Sequence, residues 1–262
     1  MEIIGYVAAV CIGLILGLLG GGGSILSIPI LVYLFGVDAI LASAYSLFIV
    51  GITSLVGAIP KYKDHLVNLR TGFLFGVPSI VSIFCTRKWI IPAIPDIVYQ
   101  TETFTLSKRI LVLGTFAVLM ILASFSMIRG RRELRSDAQG IRTFLVIVEG
   151  ILIGFLTGFV GAGGGFLIIP ALVFLTGLPF KTAVGTSLFI IAINSLMGFL
   201  GDVFNYTMDW TFLISITSLA VLGILIGNRL QKKVSAIRLR IMFGWMILLM
   251  GSWILLKEII LH

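Results

Sequence analysis

GLLGGGGSILSIPIL, residues Gly17 to Leu31, returns further along the chain as GFVGAGGGFLIIPAL, Gly158 to Leu172. Both copies lie inside long apolar runs, of the roughly 20 residues that cross a bilayer as a helix. A glycine inside a helix costs about 1 kcal/mol relative to alanine. The clusters Gly20–Gly23 and Gly161–Gly165, with Pro29 and Pro170 following, therefore predict that each segment breaks its own helix. In hydrocarbon a broken helix leaves backbone groups without partners, which is tolerated only where the break faces protein or a wet cavity. The helix that restarts there presents free N–H donors and the positive end of its dipole. Glycines let an anion approach that backbone closely. Broken helices at matching places in two repeats point to a transporter's binding site.

The repeat reaches beyond the clusters. A shift of 141 positions (158 − 17) aligns the halves without gaps from Gly13 to Gly57. Gly20 meets Gly161, Gly22 meets Gly163, Pro29 meets Pro170, Ser54 meets Ser195, and SLFI recurs at Ser46 and Ser187. Shared apolar composition would not keep glycine, proline and serine in register. The polar stretch RGRRELRSDAQGIR, Arg129 to Arg142, separates the halves. The expected organisation is a first membrane repeat over 1–128, a basic cytoplasmic linker over 129–142 and a second membrane repeat over 143–262.

Composition sets the class. Of 262 residues, 59% are hydrophobic and 11% charged, against about 25% charged in a soluble domain. Mean hydropathy is +1.16. The expected fold is an all-α integral membrane protein, because the runs are too long and continuous for alternating barrel strands. The net charge of +8 sits mostly in short connections, the positive-inside pattern, and nucleic-acid binding is excluded as its explanation. Cys11 and Cys85 form no disulfide framework or metal spacing, and no His/Cys cluster accompanies His65 or His262. The opening MEIIGYVAAV lacks a positive n-region, so the first run is expected to remain in the mature protein.

Topology has two readings. If each glycine-broken run is one full span, the basic loops Arg129–Arg142 and Arg229–Arg240 fall on opposite sides, against the charge rule. If each is a hairpin of two short helices, those loops and KYKDHLVNLR share the cytoplasmic side, while Asp38, Asp202 and Asp209 lie outside with both termini. Each half then holds a hairpin plus three spans, and the halves are inverted. The hairpin reading is preferred, although it leaves Arg87 and Lys88 outside.

Gly13-x-x-x-Gly17 and Gly154-x-x-x-Gly158 are read as helix-packing glycines. The candidate anion ligands are the backbone at Gly20, Gly22, Gly23, Ser24, Gly161, Gly163, Gly164 and Gly165. The side chains of Tyr45, Ser46, Thr186 and Ser187 follow the hairpins; their hydroxyls serve either the anion or their own helix turn. Asn194, opposite Thr53 in the repeat, is a cavity candidate or an interhelical link. Glu149, in FLVIVEGILIGF with Ala8 as its repeat mate, is an intramembrane acid and the proton-coupling candidate. A wet vestibule or a loop arginine is its plainer setting.

The twin glycine clusters with Pro29 and Pro170, the SLF pairs at Ser46 and Ser187, and Asp209–Trp210 resemble the sulfite exporter TauE/SafE family of membrane permeases. The resemblance covers nearly the whole chain. It implies a carrier of sulfur-containing anions such as sulfite, sulfoacetate and related organosulfonates, without choosing among them. One motif departs: the first half has Asn68–Leu69 where the second has Asp209–Trp210. The leading expectation is a secondary transporter of small anions in the cell membrane. No P-loop and no cofactor or metal site is expected. The alternatives are a passive anion channel and, less well supported, an intramembrane enzyme. The expected partners are the small anion and the lipid bilayer, with a homo-oligomer left open.

Overall fold

A computed structural model describes residues 2–100, 105–129, 139–161 and 163–257. Most of the expected linker, 130–138, lies outside the described residues. Helix α1 (Glu2–Leu19) ends at a 3-10 segment, Gly20–Leu26, that runs into α2 (Ser27–Tyr33). Next come α3 (Ala39–Lys63) and α4 (Leu69–Cys85). The second half holds α7 (Gln139–Val160), α8 (Gly165–Thr176), α9 (Phe180–Asp202), α10 (Trp210–Gln231) and α11 (Ala236–Leu255). The first half closes with α6, Lys108–Arg129. Five of the described helices are long and apolar enough to cross a membrane: α3, α4 with its extension, α6, α9 and α10.

Local signals explain where helices start. Asp38 Oδ1 accepts from the amides of Ile40 and Leu41 and opens α3. Asn68 accepts from Thr71 N and opens α4; Asp209 accepts from Phe212 N and opens α10. The departure at Asn68 therefore keeps the cap, because Asn and Asp serve equally well there.

The connection after α4 differs from its expected form. The helix does not stop at Arg87. It continues as a π-helical turn, Thr86–Ile90, and a last turn α5, Ile91–Ala93. A two-stranded antiparallel hairpin follows, β1 (Ile97–Gln100) against β2 (Thr105–Ser107). Arg87 is fully buried rather than lying in an outer loop.

Both glycine-broken segments fold back on themselves. Gly23 lies against Ile12 and Leu16 of α1, and Gly164 lies against Thr157 of α7. The halves are also interleaved. Helix α1 packs on α10, with Gly13 at Ala220 and Gly17 at Ile224. Helix α7 packs on α4 by the same rule, with Gly154 at Ser79 and Gly158 at Ile83 and Thr86. At the centre α3 crosses α9 head to tail: Gly51 meets Leu196 while Gly198 meets Leu47. Helices α6 and α11 also run head to tail, with Gly244 at Met127 and Ile128 and Gly251 at Met120.

A Cβ at Gly154 would stand 2.5 Å from the Ser79 carbonyl oxygen and 2.8 Å from its Cα. Gly154→Ala is thus expected to destabilise the protein by about 1–3 kcal/mol, the usual cost of overpacking, and to leave ligand affinity unchanged. Thermal melting beside ligand titration checks both halves of that statement.

The ends of the molecule are electrically distinct. Lys232 Nζ lies 2.7 Å from Asp64 Oδ2, so the α3–α4 and α10–α11 connections share one end. The hairpin reading requires this, and the full-span reading would separate them. The hydrogen bond from Lys232 is the first cause holding the Asp64 carboxyl below its ordinary pKa. At the other end Tyr206 is raised above its ordinary pKa, by burial first and then by Asp202; the Asp38 and Asp96 carboxylates add to this and Arg87 opposes it.

Candidate functional site

The two glycine clusters meet in the middle of the molecule. Gly21 and Gly165 touch backbone to backbone, so that a side chain on either would enter the other's main chain. Around this seam Gly20 lies at Val184, Gly21 also at Ile191, and Gly163 at Val50, Ile191 and Ser195. Gly20, Gly161, Gly163 and Gly164 hold φ between +66° and +83°, a region glycine enters without penalty. That geometry turns α7 back into α8. Gly164 caps α8 with no side-chain bond, and its carbonyl accepts from Leu167 and Ile168. The first turn of α8 therefore starts at the seam without a side-chain cap on its leading amides. In the first half the helix restarts as a 3-10 turn that flows into α2, so only α8 makes a clean new N-terminus, where two were expected.

The hydroxyls at the candidate positions divide sharply. Ser24 Oγ donates to Gly21 O, and Ser187 Oγ donates to Val184 O, each within its own turn. Ser46 Oγ is paired with Ser27 Oγ. Tyr45 Oη accepts from Asp209 N at 2.8 Å, and Thr186 Oγ1 accepts from Asn68 N at 2.9 Å. These last two are repeat mates, and each holds the cap residue that begins a helix in the other half. All five side chains have a protein partner.

A different set has none. Thr53 Oγ1, Ser54 Oγ, Thr157 Oγ1 and Ser195 Oγ are buried without a hydrogen-bond partner among the described residues. Asn194 gives its amide to Ser79 Oγ at 2.6 Å, but its Oδ1 has no partner. Thr53 and Asn194 are repeat mates, as are Ser54 and Ser195. Buried polar atoms are nearly always paired, and each exception calls for an explanation. Ser195 lines Gly163, and Thr157 lines Gly164. Sequence reading found Asn194 and missed the others, although the 54/195 and 53/194 pairings carried the signal.

Arg87 is the largest omission. Its Nη1 donates to Ser43 Oγ at 2.8 Å and lies 3.2 Å from Asp202 Oδ2. Its Nη2 abuts Gly161. Arg87 and Asp202 are both fully buried. Glu149 is elsewhere: half-buried on α7, twelve residues before Gly161, which is about 18 Å along a helix axis. No group of three or more His, Cys, Asp or Glu that could hold a metal occurs among the described residues.

Residues 6–254 match the family described as "Sulfite exporter TauE/SafE". A "Probable membrane transporter protein" of Xylella fastidiosa (strain 9a5c) is 30% identical over 257 residues, covering 94% of this chain and 92% of its own. The "Probable membrane transporter protein YunE" of Bacillus subtilis (strain 168) is 25% identical, covering 97% of this chain and 98% of its own. A probable membrane transporter protein of Methanocaldococcus jannaschii is 25% identical, at 94% of each chain. No solved structure matches.

Proposed function

This chain belongs to the sulfite exporter TauE/SafE family of membrane transporters, and from that premise we propose that it is a secondary transporter of small sulfur-containing oxyanions or organosulfonates, bound at the seam of its two glycine-broken hairpins. The observation that carries the reading is the conjunction at one place. Two bare backbones meet there, α8 starts there, and the buried hydroxyls of Thr157 and Ser195, which line Gly164 and Gly163, have no hydrogen-bond partner among the described residues. An oxyanion supplies several acceptors to hydroxyl and amide donors at once, and a helix N-terminus favours its charge. A site of that kind suits SO3-type groups and does not distinguish sulfite from a sulfonate.

The head-to-tail packing of α3 on α9 and of α6 on α11 supports reading 1–128 and 143–262 as inverted units. Each would present to one membrane face what the other presents to the opposite face, the geometry of alternating access. The end holding Asp64, Lys181 and Lys232 is assigned to the cytoplasm by the charge rule. The reading is tested by flux of labelled sulfite into proteoliposomes. Saturable, gradient-coupled uptake supports a transporter; ohmic conductance would make the protein a channel, and consumption of sulfite would make it an enzyme.

Glu149 remains the coupling candidate within this reading, acting at a distance from the seam. Glu149→Gln is expected to abolish uptake driven by a pH gradient while sulfite exchange continues. Unchanged gradient-driven uptake in that variant removes Glu149 from the mechanism.

A further inference from the structure

Arg87 and Asp202 form an ion pair that packing does not require. The positions that the repeat makes equivalent are Asn228 and Lys61 (87 + 141 and 202 − 141). At the first of these the molecule uses one neutral bond, from Asn228 Nδ2 to Gly57 O at 3.1 Å. The repeat architecture thus closes this place without an arginine. A buried ion pair is also no general source of stability, because desolvation offsets the attraction. The pair is moreover only half made. Arg87 Nε and Nη2 have no hydrogen-bond partner among the described residues, and neither Asp202 oxygen accepts an aligned hydrogen bond. Leaving charged donors unpaired in a buried site is costly, yet both side chains are fully buried. The free Nη2 stands against Gly161, on the glycine turn that leads into the N-terminus of α8.

We propose that Arg87 is a ligand of the transported anion and that Asp202 is its internal counter-ion, occupying the guanidinium when the carrier is empty. The planar fork has unused N–H groups on Nε and Nη2, the latter against Gly161, and a fork of that shape matches an oxyanion in bidentate fashion. When the anion arrives it takes over the charge that Asp202 otherwise balances. When it leaves, Asp202 restores neutrality, so the empty carrier reorients without an unpaired charge inside the membrane. Asp202 therefore acts as a stand-in for the substrate. The inference rests on the anion reading and adds a specific ligand and a reason the empty form can return.

The test uses the full chain in detergent for sulfite and sulfoacetate titration, and in proteoliposomes for flux. Asp202→Asn frees the guanidinium; affinity is expected to rise on the order of tenfold, since a competing charge at close range is removed. Net uptake is expected to fall while sulfite–sulfite exchange persists, because only the loaded carrier reorients readily. Arg87→Gln combined with Asp202→Asn removes both charges without orphaning either, and is expected to bind roughly tenfold to a hundredfold more weakly. A folded double variant with wild-type affinity overturns the inference while leaving the anion reading intact. If the double variant does not fold, Asp202→Asn decides alone, and unchanged affinity and net uptake overturn it. Failure of the wild-type protein to bind either probe overturns the anion reading and this inference together.

Discussion

Gly165→Ala abolishes transport and lowers stability, and Gly21→Ala does the same. Each added Cβ would occupy the other glycine's backbone, and Gly21's would also strike Ile191 Cδ1. A side chain can swing aside, but main chain held in two hairpins cannot, so the breaks must separate. Overpacking costs about 1–3 kcal/mol and occasionally more. The functional loss is larger, because displacing bound groups by about 1 Å can cost 100-fold in rate. Gly36→Ala is the control. Its φ of +68° strains any alanine, but open space surrounds the position, so it is expected to lose about 1–2 kcal/mol and to keep transport. Sulfite uptake and melting of the three variants decide the matter. Wild-type melting and uptake in Gly165→Ala would mean that the clusters do not meet.

The second large effect is all-or-none. In a background lacking Cys11 and Cys85, a cysteine at Asn205 is expected to react fully with an impermeant thiol reagent added to intact cells. A cysteine at Ser235 is expected to react only after lysis. Asn205 lies in the α9–α10 connection, at the end bearing Asp38 and Asp96; Ser235 lies in the α10–α11 connection, beside the Lys232–Asp64 pair. Both residues are exposed. Ser136, in the linker, follows Ser235 on charge grounds alone. The reverse pattern would invert the assigned orientation, and labelling of both from outside would contradict the placement of the membrane between these ends.

What the sequence made legible were features written in local pattern. Glycine clusters with a proline behind them announced the breaks, the register of the repeat announced that the breaks correspond, and the basic loops announced which connections share an end. What it hid were pairings between distant residues. Tyr45 and Thr186 read as hydroxyls serving either the anion or their own helix turn, but each is occupied by a cap amide of the other half. Their relevance depends on how the halves interlock, and no spacing rule encodes that. Arg87 read as an outer-loop cation because it stands where the apolar run ends. Asp202, its counter-ion 115 positions away (202 − 87), read as part of an acidic link. The charge rule failed at Arg87 for a physical reason: a cation paired inside the protein does not report which side of the membrane a loop occupies. Ser54 and Ser195 were visible as repeat mates, but only packing reveals that their hydroxyls lack partners.

That lack of partners permits the most direct test. A buried hydroxyl without a hydrogen bond costs stability in the absence of ligand, so removing it relieves the empty protein and deprives the bound anion. In the Thr157→Val/Ser195→Ala variant, which removes the two unpartnered hydroxyls at Gly164 and Gly163, sulfite titration with parallel thermal melting is expected to show a ligand-free melting temperature equal to or above wild type. Affinity is expected to be at least about tenfold weaker, a loss of about 1.4 kcal/mol. A variant that melts as the wild type does and binds sulfite with wild-type affinity would contradict the placement of the anion at the seam.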